Sequence, residues 1–254
     1  MQERVQKLLA NAGYFSRRGA ETAIKEGRLK FKNKIIELGD KCDIDTQIYL
    51  DDKPIDLHRF RTYRTQVLMM NKQAGVICSR KDPEKRKSVF EYLPTGQRWV
   101  MVGRLDFNTS GLLLWTNNGE LANRLMHPSY QIDREYAVRV LGEVKEEDLK
   151  KLIKGVELDD GFIASFKKIN FAGGEGANRW YKVVLQEGKY REVRRLWEAL
   201  GFKVSRLIRI RYGDVKLIDK LKPNKTEALK PKQVDALLGL VRLPKENEKE
   251  KKYK

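Results

Sequence analysis

Short apolar runs separated by Gly, Asn, Pro and clusters of charge set the framework of this chain. Val5, Leu8, Leu9 and Ala12 recur at helical spacing, Gly13 ends that helix, Ser16 can cap a second, and Ala20, Ala23 and Ile24 mark its inner face. The spacing therefore predicts a helical hairpin over residues 3–28. RLKF, KIIEL and QIYLDDKPI follow as strand-like segments around turns at Asn33-Lys34 and Gly39-Asp40, so a small sheet is expected next. Residues 57–66, LHRFRTYRTQ, have no periodicity and read as a linker, with a domain boundary near residue 60.

Beyond the linker, VLMMNKQAGVICS reads as a hairpin turning through Asn71-Lys72 to Gly75. WVMV (Trp99 to Val102) and LLLWT (Leu112 to Thr116) read as buried strands, and ELANRLMHP as a short helix ended by Pro128. REYAVRVLG alternates as a strand and EEDLKKLIKG is an amphipathic helix. ASFKKINFAGG and NRWYKVVLQEG are strands joined by a glycine-rich hairpin. YREVRRLWEALG (Tyr190 to Gly201) is a helix with Val193, Leu196, Trp197 and Leu200 facing inward. KVSRLIRIRYGDV is a strand, KPKQVDALLGLV a last amphipathic segment, and PKENEKEKKYK a charged tail expected to be disordered. The fold class is α+β: a small domain over 1–60, a larger one over 61–242 with a mixed, mostly antiparallel sheet flanked by helices, and a tail over 243–254.

Charge narrows the partners. The chain of 254 residues has 53 Lys plus Arg against 35 Asp plus Glu, a net +18, which attracts polyanions. No apolar run approaches the roughly 18 residues that span a bilayer, and MQERVQ lacks the apolar core of a signal peptide, so a cytoplasmic protein that binds nucleic acid rather than membrane is expected. Residues 17–34 hold seven basic residues, Arg17, Arg18, Lys25, Arg28, Lys30, Lys32 and Lys34, against only Glu21 and Glu26. That segregation favours contact with an RNA backbone. Cys42 and Cys78 lie far apart, and neither His58 nor His127 neighbours them, so no zinc cluster or disulfide framework is expected.

The candidate chemistry centres on VGRLDFNTSG, where Asp106 is a single carboxylate in a turn-rich loop between two strands, two residues after Arg104. Taken alone, the loop reads as an Asx-turn in which Asp106 and Asn108 bond their own backbone, and the case for catalysis depends on what surrounds it. His127 reads as a helix-end residue, and GGEGAN lacks the Lys-Ser/Thr pair of a phosphate loop. Arg191, Arg194 and Arg195 crowd the start of the predicted helix, against its dipole, and a nearby anion would resolve that conflict.

Two resemblances give these residues roles. RVQKLLANAGYFSRRGAETAIKEGRLKFKNKIIELGD resembles the S4 RNA-binding domain, which occurs in unrelated RNA-binding proteins and so implies a partner but no chemistry. GRLDFNTSGLLLWTNNGELANRLMHPSYQIDREYAVRV and EGKYREVRRLWEALG resemble the RsuA and RluB branch of the pseudouridine synthases, most nearly its RluB-type members, and with the S4 segment the likeness spans all but the tail. It implies isomerisation of a uridine in 23S large-subunit ribosomal RNA near the peptidyl transferase centre, without redox partner, metal or nucleotide. The bond from ribose to N1 breaks, the base turns, and C5 takes its place.

By that resemblance Asp106 is the essential carboxylate, adding to the ribose or removing a ribose proton. Tyr136 stacks on the base, Arg194 pairs with Asp106 with Arg195 as the one-residue alternative, and Leu207 contacts the base. Arg104, Arg191 and Arg195 are further substrate contacts. The target must be flipped out of folded RNA into the pocket. The alternatives are a small-subunit target, as in RsuA-type relatives, and a non-catalytic RNA-binding or ribosome-assembly protein. The exposed basic surface leads to the expectation of a monomer.

Overall fold

The computed structural model describes residues 2–58 and 64–246; part of the expected linker, 59–63, and the tail beyond 246 lie outside the described residues. The chain divides into two compact units, Met1–Arg64 and Thr65–Lys254.

In the first unit α1 (Val5–Asn11) and α2 (Arg17–Lys25) form the hairpin. The Ser16 side chain accepts from the Gly19 N–H at 2.9 Å, satisfying one of the free amides that open α2. Leu9, Ala20, Ile24, Leu29 and Ile48 close a small core between the helices and a four-stranded sheet. Its strands are β1 (Leu29–Phe31), β2 (Lys34–Ile35), β3 (Ile48–Leu50) and β4 (Lys53–Ile55), in the order β2-β1-β3-β4. QIYLDDKPI is thus two strands rather than one, because Asp51 and Asp52 take left-handed φ of 49° and 64° and turn the chain back. A two-residue ladder between Glu3–Arg4 and Lys41–Cys42 went unforeseen; it is too short to leave a periodic pattern.

The second unit is built on a nine-stranded sheet. In chain order its elements are β5 (Val67–Lys72), β6 (Val100–Val102), β7 (Ser110–Thr116), α3 (Gly119–Met126), β8 (Arg134–Leu141), α4 (Glu146–Lys154), β9 (Lys168–Phe171), β10 (Asn178–Leu185), α5 (Glu192–Glu198), β11 (Lys203–Tyr212), β12 (Val215–Lys216), β13 (Thr226–Ala228) and α6 (Pro231–Leu240). The path runs β9-β10-β8-β11-β7-β5-β13, with β12 on the end of β11 and β6 on the end of β7. Within this sheet, among the described residues, only β11 and β7 run parallel, meeting at Ile208–Ser110 and Arg209–Gly111.

LLLWT is apolar without alternation because both of its faces are covered. Leu113 and Trp115 join Tyr136, Val138, Leu207, Leu152 of α4 and Trp197 of α5 on one side. Leu112 and Leu114 join Leu121 and Leu125 of α3 and Leu237 and Leu238 of α6 on the other. β8 is covered on one face, and its burial alternates along the strand.

Two expectations need correction. VLMMNKQAGVICS is not a hairpin, since β7 and β13 already occupy both edges of β5. The chain after Lys72 instead leaves the sheet, and Ile77 bridges to Ser88. The helix over Tyr190–Gly201 is shorter, Glu192–Glu198. Arg191 sits before it with a left-handed φ of 48°, which breaks the periodicity from outside the helix, and Gly201 at φ 82° follows it.

Candidate active site

β6 ends at Val102, and the loop 103–109 returns the chain into β7. Gly103, at φ 73°, starts the turn. The Thr109 N–H donates to the Asp106 carbonyl at 3.0 Å, so Asp106 opens a β-turn of four residues. Its side chain is not spent on that turn. Among the described residues no hydrogen bond to the Asp106 carboxylate is formed and no Lys or Arg nitrogen lies within 4 Å of it, so the Asx-turn reading fails and the group faces open space.

That space is a cleft of about 580 Å³, lined by Arg104, Asp106, Tyr136, Arg191, Leu207 and Arg209 among others. The volume lies in the range of small-molecule sites. Strand pairing brings the lining together: Tyr136 on β8 lies directly across from Arg209 on β11, and Val138 across from Leu207. On the other side of β11, Arg209 is level with Gly111 of β7, five residues after Asp106. A side chain at Gly111 is excluded, because its Cβ would lie 2.3 Å from the Arg209 carbonyl oxygen. Tyr136, Leu207 and Arg209 are all buried.

Beneath the loop lies Lys72, fully buried at the end of β5. Its Nζ donates to the carbonyls of Thr109 at 2.8 Å, Asp106 and Gln73 at 3.1 Å, and Phe107 at 3.5 Å. Burial pushes this ammonium down to about 8, with Cys78 and Asp106 opposing the fall. Lys72 is still a cation at neutral pH, the form with three donors for those oxygens.

Arg194 does not form the expected ion pair with Asp106. Its Nη1 donates to the Val204 carbonyl at 2.8 Å and its Nη2 to the Asn108 carbonyl at 3.0 Å, so the fork is occupied by main chain. The guanidinium ties the loop to β11, and its pKa is lowered, first by burial and then by Arg191, against the pull of Asp106. Arg195 is not a substrate contact in this geometry: it is held outside the cleft by Asp159 and Asp160, the latter at 2.6 Å. Arg191 reaches the cleft wall, 3.5 Å from Glu198, and Arg104 is exposed at the mouth. Tyr190 and Met126 are exposed apolar side chains on the rim.

Sequence reasoning missed Lys72, Arg134, Glu192 and Arg209. Arg209 had a signal: it shares parity with Leu207 along a strand and so faces the same side. Glu192 is buried, accepts from the Lys189 N–H at 2.9 Å, and has its pKa raised by that burial.

Of the basic residues in the first unit, Arg28 is paired to Asp51 at 2.6 Å, Lys30 to Asp52 at 2.8 Å and Lys34 to Asp40 at 3.3 Å. Arg17, Arg18, Lys25 and Lys32 are exposed and carry no ion pair among the described residues.

The family model described as RNA pseudouridylate synthase matches residues 66–199, which include the whole Asp106 loop. A Haemophilus influenzae protein named ribosomal large subunit pseudouridine synthase B is 52% identical over 97% of this chain and 70% of its own length. Proteins of the same name from Salmonella typhimurium and Escherichia coli are 51% and 50% identical, over 97% of this chain and 86% of theirs. A crystal structure of a pseudouridylate synthase superposes with a TM-score of 0.64 at 25% identity, covering 92% of this chain and 99% of that one. The chain is a member of the RNA pseudouridylate synthase family.

Proposed function

We propose that this protein converts a specific uridine of large-subunit ribosomal RNA, the 23S RNA, to pseudouridine in the cytoplasm, acting as a monomer. The observation that carries the choice of target is the identity of about half the residues, over 97% of the chain, to proteins named for the large subunit. The net charge of +18 fits a polyanionic substrate.

In this reading the flipped uridine enters the cleft with its ribose toward Asp106 and its base between Tyr136 and Leu207. The Asp106 carboxylate, free of ion pairs in the described residues, is the group that attacks C1′ or removes a ribose proton. Tyr136 stacks on the base and is placed to take the proton from C5. Arg194 is a positioning residue, holding the Asn108 end of the loop against β11. Arg104 and Arg191, on the cleft wall, meet the flanking phosphates.

The first unit, with its hairpin and basic segment, is assigned as an S4 RNA-binding domain over residues 1–60, with Arg17, Arg18, Lys25 and Lys32 the cations left available to RNA. The test is modification mapping of both ribosomal RNAs from cells lacking this protein. Loss of one pseudouridine from large-subunit RNA is expected; loss from small-subunit RNA instead would overturn the target.

A further inference from the structure

Arg209 is left over from the chemistry just described, and its surroundings account for only part of a guanidinium. The side chain is 2% exposed. Nε donates to the Leu112 carbonyl at 2.7 Å, and the group lies 5.1 Å from the centre of the Tyr212 ring. Nη2 is buried with no hydrogen-bond partner among the described residues. A desolvated cation with an idle donor is costly, and an anion beside it removes that cost.

The neighbourhood sharpens the need. Arg134, also buried, lies against the same Tyr212 ring at 5.2 Å, and Lys72 and Arg194 are buried cations under the same loop. Against these cations the acids lining the cleft are Asp106, Glu187 and the buried Glu192, and none of them is a hydrogen-bond partner of the Arg209 Nη2. Arg209 also stands directly across from Tyr136, and both line the cleft with Leu207. With the uridine placed as proposed above, Arg209 stands at the level of the base rather than of the backbone phosphates.

The reaction supplies an anion at that level. When the C1′–N1 bond breaks heterolytically, its electron pair goes to N1 and spreads over O2 and O4 of the uracil. The base turns, C5 bonds to C1′, the C5 proton is lost to a base and N1 takes up a proton in its place, so the sum is an isomerisation needing no co-reactant. Both possible roles of Asp106, attack at C1′ or removal of a ribose proton, expel the uracil as the same anion. We infer that Arg209 is a catalytic residue, its idle Nη2 donating to a uracil carbonyl oxygen as negative charge develops on the departing base. A donor aimed where charge develops acts mainly on the transition state. The inference rests on the placement of the uridine proposed above.

Fluorine at C5 makes uracil a better leaving anion, so it relieves the need for such a donor. Single-turnover loss of the N1-linked nucleotide is measured with RNA carrying uridine or 5-fluorouridine at the target, for the wild type, Arg209→Met and Asp106→Asn. Arg209→Met is expected to slow the uridine reaction on the order of a hundredfold and the 5-fluorouridine reaction by a clearly smaller factor. The ratio between the two bases is independent of the fraction of variant that folds. Equal loss with both bases would overturn the inference while leaving the site assignment intact. Undiminished cleavage by Asp106→Asn would overturn the site assignment, and the role of Arg209 with it.

Discussion

The Lys72 ammonium donates to the main-chain carbonyl of Asp106 at 3.1 Å, from a strand end 34 residues earlier. The contact holds the backbone on which the carboxylate is mounted, and the carbonyls of Phe107 and Thr109 share the same nitrogen. Lys72→Met leaves the buried Thr109 carbonyl without a donor, at a cost of about 1–3 kcal/mol. A loop free to shift by an ångström is expected to lose on the order of a hundredfold in kcat. Urea unfolding and single-turnover kinetics check the two effects, and an unchanged kcat would remove Lys72 from the positioning role.

The same residue gives a pH dependence with opposing signs. Burial lowers the folded pKa to about 8 from the ordinary 10.5, so the ammonium costs stability below pH 8 and that cost fades as pH rises from 8 to 10.5. Deprotonation also removes one donor from the carbonyls, so activity is expected to fall through the window in which this contribution to stability rises. A kcat/KM profile alongside thermal melts tests this, with Lys72→Arg expected to lose the alkaline limb.

Arg194 serves the loop from its other end, through Asn108. Arg194→Met removes buried bonds to two carbonyls and is expected to cost about 1–3 kcal/mol, with kcat falling more than KM rises. Arg195→Ala, whose guanidinium is occupied by Asp159 and Asp160, is expected to leave both constants within about twofold. Equal losses from the two substitutions would contradict this division of roles.

Gly111 is required where β7 and β11 meet. At φ 101° with a Cβ 2.3 Å from the Arg209 carbonyl oxygen, Gly111→Ala combines backbone strain with a clash against main chain. A loss on the order of 3 kcal/mol is expected, read as a lowered melting temperature with reduced activity in the fraction that remains folded. A melting temperature like that of the wild type would contradict it.

In the first unit, exposed cations divide into those paired to acids and those left unpaired. Arg17→Ala with Arg18→Ala is expected to reduce the salt dependence of RNA binding by nearly two units of log–log slope. Lys30→Ala, which gives up a partner in Asp52, is expected to change it less. Nitrocellulose binding across a salt series distinguishes them; equal slopes for both variants would remove the distinction.

Elements with strong local signals were legible in the sequence. LLLWT read as buried because no residue in it interrupts the apolar run, and REYAVRVLG read as a strand because it alternates; the structure has Tyr136 on its buried face. The turn residues of VGRLDFNTSG located the loop, and the structure brings Asp106, Tyr136 and Leu207 to one cleft. The loop's supports were not legible. Lys72 looked like a turn residue because three of its four acceptors depend on β7 lying beside β5, a long-range pairing. Arg194 was matched to Asp106 by its place in the motif that resembles the family, whereas in three dimensions the Val204 and Asn108 carbonyls occupy its fork.

In the proposed function the Asp106 carboxylate performs the isomerisation. The most direct test of that role is pseudouridine mapping in large-subunit RNA after incubation with purified wild type or Asp106→Asn, with RNA binding measured in parallel. The expected result is a single new pseudouridine with the wild type and a rate at least about a hundredfold lower with the variant, at similar RNA affinity. Modification at the same rate by both proteins would contradict it.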